Sequence, residues 1–174
     1  MRAAARPPIM DRTDWLLAAV VGGLVLAAGL LVVGGQSPGD VDGYNRTTVT
    51  LADANGTQLA TVDVRIADTE SKRRLGLSNT GSLAAGEGML FVHESEGRHV
   101  YVMREMVFPL DIVFVAENGT ITTIHHAPVP EEIPGGNGRF PGRGKYVLEV
   151  PRGWTNATGV DVGERVVVPA QVAD

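Results

Sequence analysis

The residues best equipped for chemistry are few and scattered. Asp111 stands between Leu110 and Ile112 at the start of an apolar run, so its carboxylate lies beside buried surface and needs a partner. Two roles fit it. It accepts backbone N–H bonds around the turn at Pro109 or pairs with an arginine, or it shares a binding site with Met103, Arg104 and Glu105. The short connection Met106-Val107-Phe108-Pro109 brings those three residues back toward it. Glu149 alternates with Leu148 and Val150 and is the weaker candidate; it faces the side opposite them, half-buried. Two carboxylates can divide acid and base work if they meet, and Asp111 and Glu149 would have to do so.

Histidine and methionine open a metal-binding alternative. Imidazole and thioether ligands suit copper, and His93, His99 and His125 occur alongside Met89, Met103 and Met106. Against that, methionines in apolar runs ordinarily fill a core, and the adjacent His125 and His126 point to opposite faces of a strand. His93 and His99 flank a short Glu94–Gly97 turn and are expected as exposed cross-strand neighbours. The primary expectation is no metal and no cofactor. The chain has no cysteine, which excludes disulfides, thiolate catalysis and zinc–thiolate sites. No phosphate-cradling glycine loop, metalloprotease helix or nucleophile elbow occurs.

The elements that must position these groups are mostly strands. Thr47–Leu51 and Leu59–Ile66 flank Asn55-Gly56 as a hairpin, with Val62, Val64 and Ile66 on one face and Asp63 and Arg65 on the other. A short helix follows, capped by Asp68 or Thr69, with Glu70 early, Lys72, Arg73 and Arg74 late, and Gly76 as its stop. Gly88–Val92, Arg98–Met103, Leu110–Ala116, Thr120–Ala127, Lys145–Val150 and Arg165–Val168 read as further strands. Val100–Met103 and Ile112–Val115 are apolar on both faces, as central strands are. The expected fold is mostly β: a compact β-sandwich or small barrel with one short helix and antiparallel neighbours rather than a βαβ unit. The Pro- and Gly-rich stretch 128–144 is long enough to be either a binding loop or a disordered excursion, and composition does not separate the two.

Upstream lies a different kind of segment. Trp15 to Val33 is nineteen residues without a charge, and as a helix it spans roughly 28 Å, close to the ~30 Å bilayer core. Arg2, Arg6 and Arg12 precede it and the next basic residue is Arg46, so the positive-inside rule places the N-terminus in the cytoplasm and the rest outside. The expected order is a cytoplasmic N-terminus (1–14), a transmembrane helix (15–33), a flexible linker (34–46), a β-rich domain (47–168) and a tail (169–174). A cleaved signal peptide is the rival reading, weakened by an apolar stretch longer than such peptides use. Asn45, Asn55, Asn118 and Asn156 each begin an N-x-T triplet, a glycosylation acceptor, although Asn55-Gly56 and Asn118-Gly119 equally suit tight hairpins. From Gly34 onward 12 Lys and Arg face 18 Asp and Glu, a balance that argues against nucleic acid.

Several ordered motifs resemble one known family. Ala67-Asp68-Thr69 leading to Arg73 and Gly76-Leu77, then Gly88-Met89-Leu90-Phe91, Met103-Arg104, Pro109-Leu110-Asp111-Ile112-Val113-Phe114 and Tyr146-Val147-Leu148-Glu149-Val150-Pro151-Arg152-Gly153 are similar to the domain of unknown function (DUF) 192 family. The resemblance runs from about Thr47 to Val168 and implies a compact β-rich sandwich or barrel, commonly behind an export signal or anchor. It implies no activity. Two places depart from the family pattern. Tyr101-Val102-Met103-Arg104-Glu105-Met106 stands where the family has a phenylalanine-tryptophan-methionine-lysine-asparagine-threonine run. Ser78-Asn79-Thr80 replaces its methionine-phenylalanine-arginine. Taken together, these readings lead to a membrane-tethered extracytoplasmic binding or accessory domain for a small molecule, glycan or protein. An extracytoplasmic metal-binding protein or hydrolytic enzyme is the alternative.

Overall fold

The computed structural model describes residues 43–173 apart from Asn137. The transmembrane segment 15–33, the N-terminus before it and the linker as far as residue 42 lie outside the described residues. Among the described residues no helix is long and apolar enough to cross a membrane.

The strands are β1 (Arg46–Ala52), β2 (Gln58–Ala67), β3 (Glu87–Tyr101), β4 (Leu110–Val115), β5 (Ile121–Ala127), β6 (Phe140–Pro151) and β7 (Arg165–Val167). Helix α1 (Glu70–Leu75) lies between β2 and β3, α2 (Trp154–Thr158) between β6 and β7, and α3 (Ala170–Ala173) follows β7. A single 3-10 turn covers Pro130–Glu132. The β1–β2 hairpin forms where expected. Asp53 accepts bonds from the N–H groups of Asn55 and Thr57 at 2.8 Å each, and Gly56 takes the positive φ of 84° that the turn requires.

The fold is one curled seven-stranded sheet, in the order β5-β4-β6-β3-β2-β1-β7. Its two edges touch. Thr120 bridges Arg165, Val166 N–H donates to the Gly119 carbonyl and Ile121 N–H to the Glu164 carbonyl, each bond at 2.8 Å. The curl replaces the two packed sheets of a sandwich, because one strongly bent sheet encloses a core on its own concave side.

Four expectations need correction. The β2–β3 pair is parallel, so β2-α1-β3 is a βαβ crossover; the stretch from Asp68 to Gly86 is long enough to return the chain to the same end of the sheet. Gly88–Val92 and Arg98–Met103 belong to one strand, β3, whose register against β6 slips between Val92 and Gly97. β3 ends at Tyr101, leaving Val100 and Val102 exposed where a covered central strand was expected. The helix content is also larger, three short helices rather than one among the described residues, because α2 and α3 are too short to leave a helical period in the sequence.

β4 is buried along its whole length and separates two apolar clusters. Val113, Val115, Leu148, Val150, Leu90, Val62 and Val64 pack on one side. Ile112, Phe114, Leu110, Val147, Met89 and Phe91 face the other, where Leu77, Met103 and Met106 cover them. Tyr44 joins this second cluster and Val172 the first, so the folded unit begins inside the expected linker and ends inside the expected tail.

Candidate functional site

Asp111 is fully buried and fully occupied. Its Oδ2 accepts from the N–H groups of Gly153 and Thr155 at 3.0 Å each and from the Thr155 hydroxyl at 2.8 Å. Its Oδ1 meets His126 Nδ1 at 2.6 Å, across the β4–β5 register in which Asp111 and His126 are opposite. Burial pushes the Asp111 pKa up, but the bonds from His126, Thr155 and Gly153 outweigh it and hold the group below the usual carboxylate range. This carboxylate clamps the start of α2 to the sheet.

The residues expected to join it go elsewhere. Leu110 and Ile112 face the second cluster, so Asp111 projects to the opposite face of β4. Met103 is buried in the second cluster. Arg104 donates from Nη2 to the Arg74 carbonyl at 2.8 Å, while its own carbonyl accepts from the Ser78 hydroxyl at 3.1 Å. Glu105 is exposed and takes a φ of 59° at the turn. Arg104 and Asp111 share neither a bond nor a cavity.

Arg104 instead stands at the mouth of a cavity of about 520 Å³ between α1, the second half of β3 and the Val102–Met106 turn. The sequence places α1 correctly. Thr69 caps it by accepting from Lys72 N–H at 3.3 Å, and Gly76 ends it at a φ of 54°. A Cβ on Gly76 would lie 3.3 Å from the Phe91 ring, so glycine also lets the helix end close over the cavity wall. Arg73 ties α1 to the sheet through Nη1 bonds to the carbonyls of Asp68 and Val92, 2.8 Å each.

The interior is apolar and aromatic with one carboxyl. Phe91, Leu77, Met106 and Leu110 form its walls, with Tyr101 set edge-on to Phe91 at 5.1 Å and to Phe114 at 5.6 Å between ring centres. Phe114 is seated on Gly142, where a Cβ would overlap the ring. Glu149 lines the same cavity and is only 6 % exposed. Among the described residues no hydrogen bond or ion pair reaches its carboxyl. Burial alone pushes its pKa up to about 8, so at neutral pH it is mostly the uncharged acid.

The polar neighbours are uncharged as well. Tyr101 Oη and His93 Nε2 are 3.1 Å apart. Burial, then the Glu149 charge, raises the tyrosine pKa. Burial, then the charges of His99 and Arg73, lowers His93 to about 4. His93 and His99 do not face each other across a hairpin; both lie on β3, His93 in its irregular part and His99 in register with Gly142 of β6, with rings stacked at 3.6 Å, and His99 Nε2 meets the Gly144 carbonyl at 3.1 Å. His125 sits apart, between Phe114 and Phe140, with Nε2 2.8 Å from the Pro141 carbonyl. The metal alternative on His93, His99 and His125 therefore lacks a common centre, and among the described residues no three His, Asp or Glu side chains gather as ligands. None of the described residues of the stretch 128–144 lines this cavity; its last residues, from Phe140, extend β6.

Sequence reasoning ranked Glu149 below Asp111, and the structure reverses their prominence. The missed signals were Tyr101 and the arginines of α1, which belong to the cavity through the crossover that the strand pattern did not reveal.

A single curled sheet with a βαβ crossover, and a cavity beside that crossover, define the protein as a small β-rich domain. The chain belongs to the DUF192 family (Uncharacterized ACR), whose model matches residues 50–168. It is similar in structure to a candidate transcription regulator from Sinorhizobium meliloti, with 30% identity over 71% of this chain and 94% of that one and a TM-score of 0.64. It is likewise similar to a protein of unknown function from Novosphingobium aromaticivorans, with 26% identity over 74% of this chain and 89% of that one and a TM-score of 0.65. No curated protein matches the chain.

Proposed function

We propose that this protein is a membrane-tethered, extracytoplasmic binding domain whose ligand enters the cavity between α1 and β3. The observation that carries the reading is Glu149: a nearly buried carboxyl without a hydrogen-bond partner among the described residues, bordering a cavity. Leaving such a group unpaired costs stability, and that cost is understandable where a ligand completes the bond. The volume suits a small molecule better than a folded partner. The tether rests on the uncharged stretch Trp15–Val33 and its basic N-terminal flank. The exposure of Asn45, Asn55, Asn118 and Asn156 agrees with an outward-facing, glycosylatable surface.

The test is a small-molecule thermal-shift screen of the full chain in mild detergent, run in parallel on Glu149→Leu. The expected result is a variant that melts higher than the parent without ligand and loses the ligand-induced rise. A variant that melts lower and responds to ligands as the parent does would remove the cavity reading. Protease added to intact cells tests the tether: cleavage of the domain before lysis is expected, and protection until lysis overturns the orientation.

A hydrolytic enzyme remains the second reading because a carboxylic acid with a pKa near 8 can donate a proton at neutral pH. Asp111 cannot be its partner in that chemistry, since it lies on the other face of the sheet with its oxygens taken.

A further inference from the structure

The cavity is electrically lopsided, and the asymmetry points to a ligand class. Arg73, Arg74, Arg98 and Arg104 all line it, against Glu70 and the buried Glu149. Arg73 and Arg104 are held by backbone carbonyls, which place their positive charges without neutralising them. The exposed Arg74 and Arg98 make no side-chain hydrogen bond or ion pair to the described residues. Leu75, Val100 and Val102 are left 41 %, 45 % and 42 % exposed beside them, an apolar collar at the same opening. The walls also include Phe91, Leu77, Met106 and Leu110, and among the polar groups of the lining the buried Glu149 carboxyl stands with the Tyr101 hydroxyl, the His93 and His99 rings and Ser78.

We infer that the ligand is a small organic anion with an apolar body and an uncharged oxygen acceptor at its inner end. Its anionic group is met by the guanidinium groups at the mouth, its body lies against the aromatic and aliphatic walls, and its inner oxygen accepts from the Glu149 carboxyl. This rests on the reading of the cavity as a ligand site and adds the chemistry of the ligand. Each part follows from one requirement. Guanidinium groups without protein partners favour an anion and form paired bonds to a carboxylate or phosphate. An apolar wall rewards buried hydrocarbon. A carboxyl kept uncharged by burial is a donor, as it could not be if ionised, and therefore selects an acceptor rather than an ammonium group. Tyr101, His93 and Met89, Phe91 and Ile112 of the flanking strands bring no full charge to Glu149 at neutral pH; Arg73 on α1 is the nearby cation that acts on Tyr101 and His93.

The probe set is four molecules of matched size: levulinate, with a carboxylate and an inner ketone; valerate, which lacks the ketone; methyl levulinate, which lacks the charge; and δ-aminovalerate, which carries an inner ammonium. Affinities for the full chain in mild detergent are read by ligand-observed NMR titration. Levulinate is expected to bind about tenfold more tightly than valerate, the effect of one hydrogen bond, and at least about tenfold more tightly than its methyl ester. Arg74→Gln combined with Arg98→Gln should remove the preference for levulinate over the ester, and Glu149→Leu the preference over valerate. Tightest binding by δ-aminovalerate, or equal binding of the ester and the acid, overturns the inference while leaving the cavity a ligand site. Failure of all four probes, when the wider screen still yields a ligand that Glu149→Leu abolishes, overturns it too. Failure of the probes and of that screen together overturns the underlying reading as well.

Discussion

Two carboxyls on neighbouring strands, one residue apart in register, have opposite surroundings. Asp111 pairs with Val150 and Glu149 with Ile112, so the two acids occupy adjacent rungs of the β4–β6 ladder yet project to opposite faces. Asp111 has four bonds to its two oxygens and is held charged. Glu149 has none among the described residues and is held neutral. Burial acts in the same direction on both; the donors supplied by α2 and His126 make the difference. A satisfied buried carboxylate fastens a fold, whereas an unsatisfied one beside a cavity awaits a partner that the fold does not supply.

The largest break in this comparison should come from Asp111→Ala. It strips the acceptor from two backbone N–H groups, a hydroxyl and His126, and is expected to cost up to about 5 kcal/mol in urea denaturation. A loss below about 1 kcal/mol would mean that α2 is not clamped through this residue. Because the folded pKa of Asp111 lies below its unfolded value, the stability it gives is present above the ordinary carboxylate range and is lost as pH falls through the folded pKa.

Glu149 should behave in the reverse sense. Its unfolded pKa is near 4.5 and its folded value about 8, so the folded state keeps a proton that the unfolded state releases. Stability therefore falls as pH rises across that window and levels off beyond it, by up to about 5 kcal/mol in all. Glu149→Gln should lack this slope, and parallel pH profiles for parent and variant would show that the carboxyl is not held neutral. The smallest effect belongs to the mouth. Arg98→Gln removes an exposed charge without a described side-chain partner and should change stability by less than about 0.5 kcal/mol, sharpening the contrast between groups that hold the fold and groups that face a ligand.

What the sequence determined by itself was local. The Asn55-Gly56 hairpin, the caps of α1 at Thr69 and Gly76, the doubly buried strand β4 and the family all follow from residues near one another in the chain, because turn geometry, helix ends and strand periodicity depend on local dihedral preferences. That Asp111 needs a structural partner was also legible, as one of two roles, from its apolar neighbours. The tertiary structure alone decided which partners it found, since the N–H groups of Gly153 and Thr155 reach it from more than forty residues away in sequence. It alone joined Glu149 to Tyr101 and to the arginines of α1, through a parallel β2–β3 pair that no alternation pattern encodes. Periodicity tells which face a side chain takes; only long-range strand order tells what stands opposite that face, and a carboxyl's charge, partners and use all depend on what stands opposite.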